Sequence, residues 1–457
     1  SPHHWFISLV VGRQPLFIWI TALFLLVFKN PLFAIRMVSV LSGFATMIGL
    51  GLLSYEIFHS KRIVFFTMLL MLFYPFAFVY DRLGILDAMV GAVYVWALYL
   101  TFLFARKTTL VRAILLGILL GIGFVIKSTA LFALLLLPLS FFLLPKVKKH
   151  RKKQVIAWVV CLCFVIGIAE GISFLCRLVP NYAVVEIVNR FFAYSFFQIL
   201  LFSPRFIADH LMQNVRFLAW DMFTYMTIPY ILLLTIAMAV SDMKNEKKLV
   251  VFLYFLIPAA AIVFLGKNLE TRNFYFLLLP LFIFMGEAWD ISNRFVYWLC
   301  KHYVSTTAVM VGIGICILWY PAYICWQIAT DFIHAPILAE EQNQYTRNVG
   351  WGKAGAVNFF CLQVASGQKI VVGTYRGEDV TLQTYLGTNP YITFVSYSSD
   401  DSSVTKQLDV FAHSVPTYLV TFNTHNISPK ESTKFSRVFT NPQTSIETAF
   451  SIYKIRF

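Results

Sequence analysis

Residues 109–145 read TLVRAILLGILLGIGFVIKSTALFALLLLPLSFFLLP. Two apolar runs, 109–126 and 128–145, flank one charged residue, Lys127. Each is long enough for a helix to cross a bilayer, which takes roughly 17–25 residues. Comparable runs lie at 31–58, 63–80, 86–105, 154–176, 215–240, 248–265, 273–289 and 302–324. Two further stretches are too short to span. Residues 14–28 are predicted to lie as a helix at the outer interface, and 191–202 belong to a long polar connection.

Composition points the same way. Of 457 residues, 59% are hydrophobic and 13% charged, about half the charged share of a soluble domain. The mean hydropathy is +0.73. A soluble globular chain, a disordered chain and a fibrous one are excluded. Seven cysteines without a CxxC pair argue against a zinc module or a disulfide scaffold. Residues 1–330 hold 27 Lys and Arg against 12 Asp and Glu, whereas 331–457 hold 10 of each. The basic excess therefore belongs to the membrane part. It reads as a topology signal and not as a nucleic-acid surface.

Lys61-Arg62, Arg106-Lys107 with Arg112, Lys146 to Lys153, Lys244 with Lys247-Lys248, and Arg294 with Lys301 fall on alternate connections. The positive-inside rule places these five in the cytoplasm. The remaining connections then share the outer face. They carry Arg13, Arg82 and Asp87, Lys127, the loop 177–214 and the segment Gly266–Asn273. Residues from about 327 onward reach the same face. There the composition changes: KIVVGT (369–374), YITFVSY (391–397) and PTYLVTF (416–422) read as strands, and 353–366 and 404–413 have helical spacing. With a last strand at 449–457, this is a small α/β domain with a partly parallel sheet. The predicted architecture is a polytopic α-helical membrane protein of about 10 spans, plus outer interfacial helices and that C-terminal α/β domain.

Each ionisable group on the outer face has an ordinary reading and a functional one. Arg82 and Asp87 are either a snorkelling juxtamembrane pair or an acid and a base lining a polar cavity, since an acid facing lipid costs a few kcal/mol. Lys127 has no charged neighbour in sequence. Its ammonium suits either a lipid phosphate or the phosphate or carboxylate of a bound substrate. Glu186 and Arg190 are four apart and can pair on one helix face. Lys267, Glu270 and Arg272 crowd one short connection. Four cations, Arg13, Lys127, Arg190 and Arg272, with few acids, suit an anionic, lipid-embedded ligand such as a phosphate or pyrophosphate. Asp87 offers a carboxylate for proton abstraction or for a divalent metal.

The segment GRQPLFIWITALFLLVFKNPLFAIRMVSVLSGFATMIGLGLLSYEIF (12–58) resembles the polyprenyl-phosphate-sugar glycosyltransferases of the membrane C-type superfamily. Protein O-mannosyltransferases and aminoarabinose lipid A transferases are the nearest kinds. YDRLGILDA (80–88) resembles the second acidic motif of that superfamily, GILLGIGFVIKSTALFALLLLP (117–138) its Lys-bearing hairpin, and ETRNFYFLLLPL (270–281) its later Arg-aromatic-Pro segment. The resemblance implies Asp87 as the acid and Arg13, Lys127, Arg190 and Arg272 as ligands of the donor phosphate. Arg82, Glu186, Lys267 and Glu270 would support them. It also implies one more span and an Asp-Glu pair ahead of Ser1, and an Asp where Val11 stands.

The expectation is a membrane glycosyltransferase domain, 1–326, and an extracytoplasmic α/β domain, 327–457, in the plasma membrane. The donor would be a polyprenyl-phosphate sugar. The acceptor would be a hydroxyl on a lipid, glycan or protein, a divalent metal the one cofactor to consider, and transfer an inverting displacement. A lipid-linked-sugar flippase, or a non-catalytic envelope-assembly protein, are the rival readings of the same basic face.

Overall fold

In the computed structural model, the described residues are 6, 8–9, 12–145, 151–300, 306–332, 334–337, 351–375, 380–387, 389–397, 404–422, 435–440 and 450–455. Val11 lies outside them, as do residues 146–150 of the basic run and the chain's last two residues, Arg456 and Phe457. The chain separates into two compact units, Ser1–Thr330 and Asp331–Phe457.

The first unit is helical. Its helices are α1 (Leu16–Leu25), α2 (Pro31–Phe58), α3 (Lys61–Leu72), α4 (Pro75–Tyr80), α5 (Asp87–Arg106), α6 (Leu110–Ile126), α7 (Leu131–Leu135) and α8 (Arg151–Arg177). They continue with α9 (Tyr182–Phe192), α10 (Phe196–Leu200), α11 (Pro204–Val240), α12 (Glu246–Leu265), α13 (Tyr275–Leu278), α14 (Leu281–Cys300) and α15 (Thr306–Thr330). Among the described residues, six apolar helices are long enough to cross a membrane: α2, α5, α8, α11, which kinks at Thr227, α12 and Ala308–Thr330 of α15. Thr271–Leu278 and Leu281–Trp298, bent by 52° at the break between them, are together long and apolar enough to be either a broken span or a re-entrant loop. The other three apolar runs are helical but shorter or interrupted. Residues 63–80 break at Phe73-Tyr74, where Pro75 opens α4. Residues 109–126 form the 17-residue α6. Residues 128–145 hold α7 between two 3-10 turns. The chain is a multi-pass membrane protein.

Between membrane helices the apolar drive is weak, so close packing needs small residues. α2 turns Ser39, Ser42, Gly43, Thr46 and Gly49 inward, and the Ser39 hydroxyl donates to the Ile85 carbonyl at 2.9 Å. On α6, a Cβ at Gly117 or Gly121 would strike Ile168 or Ile172 of α8. The interior carries stacked and edge-on rings, including Phe76 on Tyr225 at 4.5 Å and Tyr74 against Phe282 at 4.8 Å. Lys248 and Glu287 pair in the interior, and the Ser241 hydroxyl donates to the same carboxylate at 2.6 Å. Removing both charges from water is tolerable because each is matched.

In the second unit, β1 (Ile370–Tyr375), β2 (Ile392–Tyr397), β3 (Thr417–Phe422), β4 (Phe435–Thr440) and β5 (Phe450–Ile455) form one sheet in the order β2-β1-β3-β5-β4. β1 is parallel to β2 and β3, while β5 is antiparallel to β3 and β4. α16 (Trp351–Val364), α17 (Val380–Leu386) and α18 (Val404–Ala412) complete the unit. Phe360, Val372, Leu382 and Ile452 meet in its larger core, and Leu408 and Leu419 in a smaller one. β4 and α17 are additions to the sequence expectation.

Candidate active site

Lys127 is fixed by a tight corner. α6 ends at Ile126, Lys127 takes an extended conformation, and a 3-10 turn follows at Ser128–Ala130. The corner closes because Gly123 has no side chain: a Cβ there would lie 2.8 Å from the Ala130 Cβ. The ammonium donates to Asp87 Oδ1 at 2.6 Å and to Asn273 Oδ1 at 3.2 Å. Asp87 is the first residue of α5, where the helix dipole favours a carboxylate. Its side chain is 5% exposed and that of Lys127 22%. An ammonium has three N–H donors, so one is left for a ligand.

Two arginines complete the group. Arg272 sits in the 3-10 turn Thr271–Phe274 and is half-buried, its Nε donating to Glu270. Arg13 follows Gly12, whose φ of +70° belongs to the left-handed region, and the Arg13 amide donates to the Ser8 carbonyl at 3.0 Å. Solvent reaches the Arg13 side chain, yet its pKa is lowered, first by the protein around it and then by the charge of Arg272. Asp87 and Glu270 act in the opposite sense. Arg13, Asp87, Glu270 and Arg272 thus feel one another's charge, although they are far apart in sequence.

The remaining candidates lie elsewhere. Arg82 stacks over the Phe78 ring at 4.6 Å, and among the described residues no ion pair joins it to Asp87. Glu186 and Arg190 are both exposed on α9, and among the described residues no ion pair joins them. Lys267 sits over the Tyr194 ring at 5.5 Å, and its amide donates to the Phe192 carbonyl at 2.9 Å. That contact and the Ala193–Gly266 bridge stitch the long connection to the segment before Arg272.

Several uncharged groups complete the surroundings. The Gln14 and Asn189 amides both donate to the Ser128 hydroxyl, at 2.7 and 2.9 Å. With Asn273 they were not legible, because an amide in an apolar chain carries no charge signal. Asp81, in the turn after α4, accepts from the Tyr275 hydroxyl at 2.9 Å. Burial pushes its carboxyl up to about 8. Its carboxylate crosses α2 at Gly43, where a Cβ would collide with it.

No metal site fits. Among the described residues, no three His, Cys, Asp or Glu side chains converge as metal ligands, and one Asp87 oxygen is already taken by an ammonium. What the arrangement can do is bind an anion with Lys127, Arg13 and Arg272 while keeping a carboxylate beside it.

Residues 13–174 match the family model described as dolichyl-phosphate-mannose-protein mannosyltransferase. The curated proteins give no significant match. The likeness to solved structures is one of fold. Among them the chain is similar to ArnT from Cupriavidus metallidurans in the apo state, with 13% identity and a TM-score of 0.58 over 97% of this chain and 88% of that one. The same protein bound to undecaprenyl phosphate gives 15% identity and a TM-score of 0.53, with the same coverage of 97% and 88%. The apo oligosaccharyltransferase of Archaeoglobus fulgidus gives 11% identity and a TM-score of 0.51 over 90% of this chain and 62% of that one.

Proposed function

We propose that the chain moves a sugar from a polyprenyl-phosphate carrier to an acceptor hydroxyl at the outer face of the plasma membrane, where residues 331–457 also lie. The observation that carries this reading is the Lys127–Asp87–Asn273 group beside Arg13 and Arg272. The carrier phosphate of the ArnT complex is the kind of anion this group suits.

The acceptor oxygen attacks the anomeric carbon from the face opposite the phosphate. The new C–O bond forms as the bond to the phosphate oxygen breaks, so configuration inverts and the electron pair leaves with the polyprenyl phosphate. Lys127, Arg13 and Arg272 stabilise the charge that develops on that oxygen, and such electrostatic stabilisation usually contributes most to the rate of a transfer of this kind. Asp87 takes the acceptor proton or hands it to water. Glu270 orients Arg272. Arg190 and Lys267, exposed on the outer connections, serve the donor's approach.

The test incubates the purified protein with a short-chain polyprenyl-phosphate sugar and candidate acceptors. The expected result is release of polyprenyl phosphate together with a product of inverted anomeric configuration. Movement of the intact carrier across vesicles without phosphate release would replace this reading with the flippase.

A further inference from the structure

At the other end of the membrane unit, a groove of about 1310 Å³ opens among α3, α14 and α15. Lys61 and Arg62 open α3. That helix and α4 run on to Tyr80 and the turn before Asp87, so the groove mouth and the candidate active site lie at opposite ends of one chain stretch. The groove is chemically two-faced. Phe65, Leu69, Val311 and Leu318 line its length, while Lys61, Arg62 and Arg294 stand at its polar end.

Arg294 is committed to Asp290, its Nε donating at 2.8 Å. Lys61 and Arg62 are exposed, and among the described residues no acid pairs with either. The Trp289 ring, on the groove wall, stacks on Phe66 at 4.7 Å and is 3% exposed. Its indole nitrogen and the Asn293 carbonyl oxygen have no hydrogen-bond partner among the described residues. Along α15 the wall runs from Met310 to Ala322, about 18 Å at the helical rise. That is close to the hydrocarbon depth of one leaflet, roughly 15 Å.

A small polar solute would leave the apolar length empty, and a neutral lipid would leave the cations unmatched. We propose that the groove holds one glycerophospholipid with an anionic headgroup. Its phosphate lies between Lys61 and Arg62, and one acyl chain follows Phe65, Leu69, Val311 and Leu318. The site is separate from the one proposed for the sugar carrier, and it needs only that the chain sits in a membrane.

The experiment is native mass spectrometry of the full chain in detergent, titrated separately with phosphatidylglycerol, phosphatidylcholine and undecaprenyl phosphate. Each basic residue near an anionic lipid surface is worth about 1 kcal/mol. With Lys61 and Arg62 both at the headgroup, phosphatidylglycerol should therefore bind at roughly thirtyfold lower concentration than phosphatidylcholine. The double variant Lys61→Gln/Arg62→Gln should abolish that preference. Gly314→Leu should reduce binding of both lipids with the charges intact, because its side chain would grow beside Trp289, whose ring already lies 3.4 Å from a Cβ at that position. Equal binding of the two phospholipids would overturn the proposal. So would a preference for undecaprenyl phosphate that Gly314→Leu removes, or unchanged binding in that variant.

Discussion

Replacing Lys127 by Ala separates the roles that one ammonium combines. The side chain makes two hydrogen bonds among the described residues, to Asp87 at 2.6 Å and to Asn273 at 3.2 Å, and its third N–H is the one proposed to meet the carrier phosphate. A hydrogen bond involving a charged group contributes about 1.5–3 kcal/mol, and each 1.36 kcal/mol is a factor of ten in rate. Loss of the phosphate contact alone therefore lowers kcat/KM for the donor about ten- to a hundredfold. The substitution also leaves Asp87 buried and unmatched. Breaking a buried pair costs about 3–5 kcal/mol, and the low end applies because Lys127 is 22% exposed. The assay is donor turnover with a short-chain polyprenyl-phosphate sugar, read beside the Tm. Lys127→Arg should keep the pairing with Asp87 but recover only part of the turnover, since a planar fork replaces a point charge. Unchanged donor turnover in Lys127→Ala would refute the reasoning.

Asp81→Asn tests the raised carboxyl. A group whose pKa is raised on folding contributes stability that is lost as pH climbs toward its folded value. The wild-type Tm should thus fall from pH 6 to 8, by at most about 1.4 kcal/mol of stability per pH unit, and level off above. The Asn variant should lack this slope. If the basic connections face the cytoplasm, as the positive-inside rule predicts, a Cys placed at Lys149 should resist a membrane-impermeant reagent added from outside; modification there reverses that topology. Lys248→Met should lower stability by about 3–5 kcal/mol, since it strands Glu287 in the interior, and Lys248→Met/Glu287→Leu should restore most of it in the same thermal assay.

The membrane part was legible because length and hydropathy alone decide what can cross a bilayer. All ten apolar runs are mainly helical over their described residues. What hydropathy did not convey is continuity: residues 63–80 and 128–145 are as apolar as the longer helices, yet Pro75 interrupts the first, and the second turns at Leu136 into a 3-10 segment opened by Pro138. In the C-terminal sheet, β1, β2 and β3 announced themselves by β-branched and aromatic runs. β4 did not, because a bulge between Arg437 and Phe439 breaks the two-residue alternation on which strand recognition depends. At the candidate site, charge made Arg13, Asp87, Lys127, Glu270 and Arg272 visible, and the fold brings these together. Gln14, Ser128, Asn189 and Asn273 were invisible because their part is hydrogen bonding across distant segments. Asp81 stood in a quoted motif but drew no attention, since its burial depends on Gly43 of another helix.

If Asp87 and Lys127 serve the carrier phosphate as proposed, their pairing need not add net stability. Either residue alone at a membrane edge costs a few kcal/mol, and together they roughly cancel. Replacing a buried ion pair by apolar residues of similar volume is often neutral or stabilising. A phosphate site, by contrast, gives the chain a reason to hold both charges. The double variant Asp87→Leu/Lys127→Met should keep a Tm within a few degrees of wild type, well above that of Lys127→Ala, and yet turn over no donor. If the double variant instead unfolds as readily as the single one, the pair is a structural fastening and the phosphate must be held elsewhere. If it is stable and retains wild-type turnover, neither Lys127 nor Asp87 takes part in the transfer.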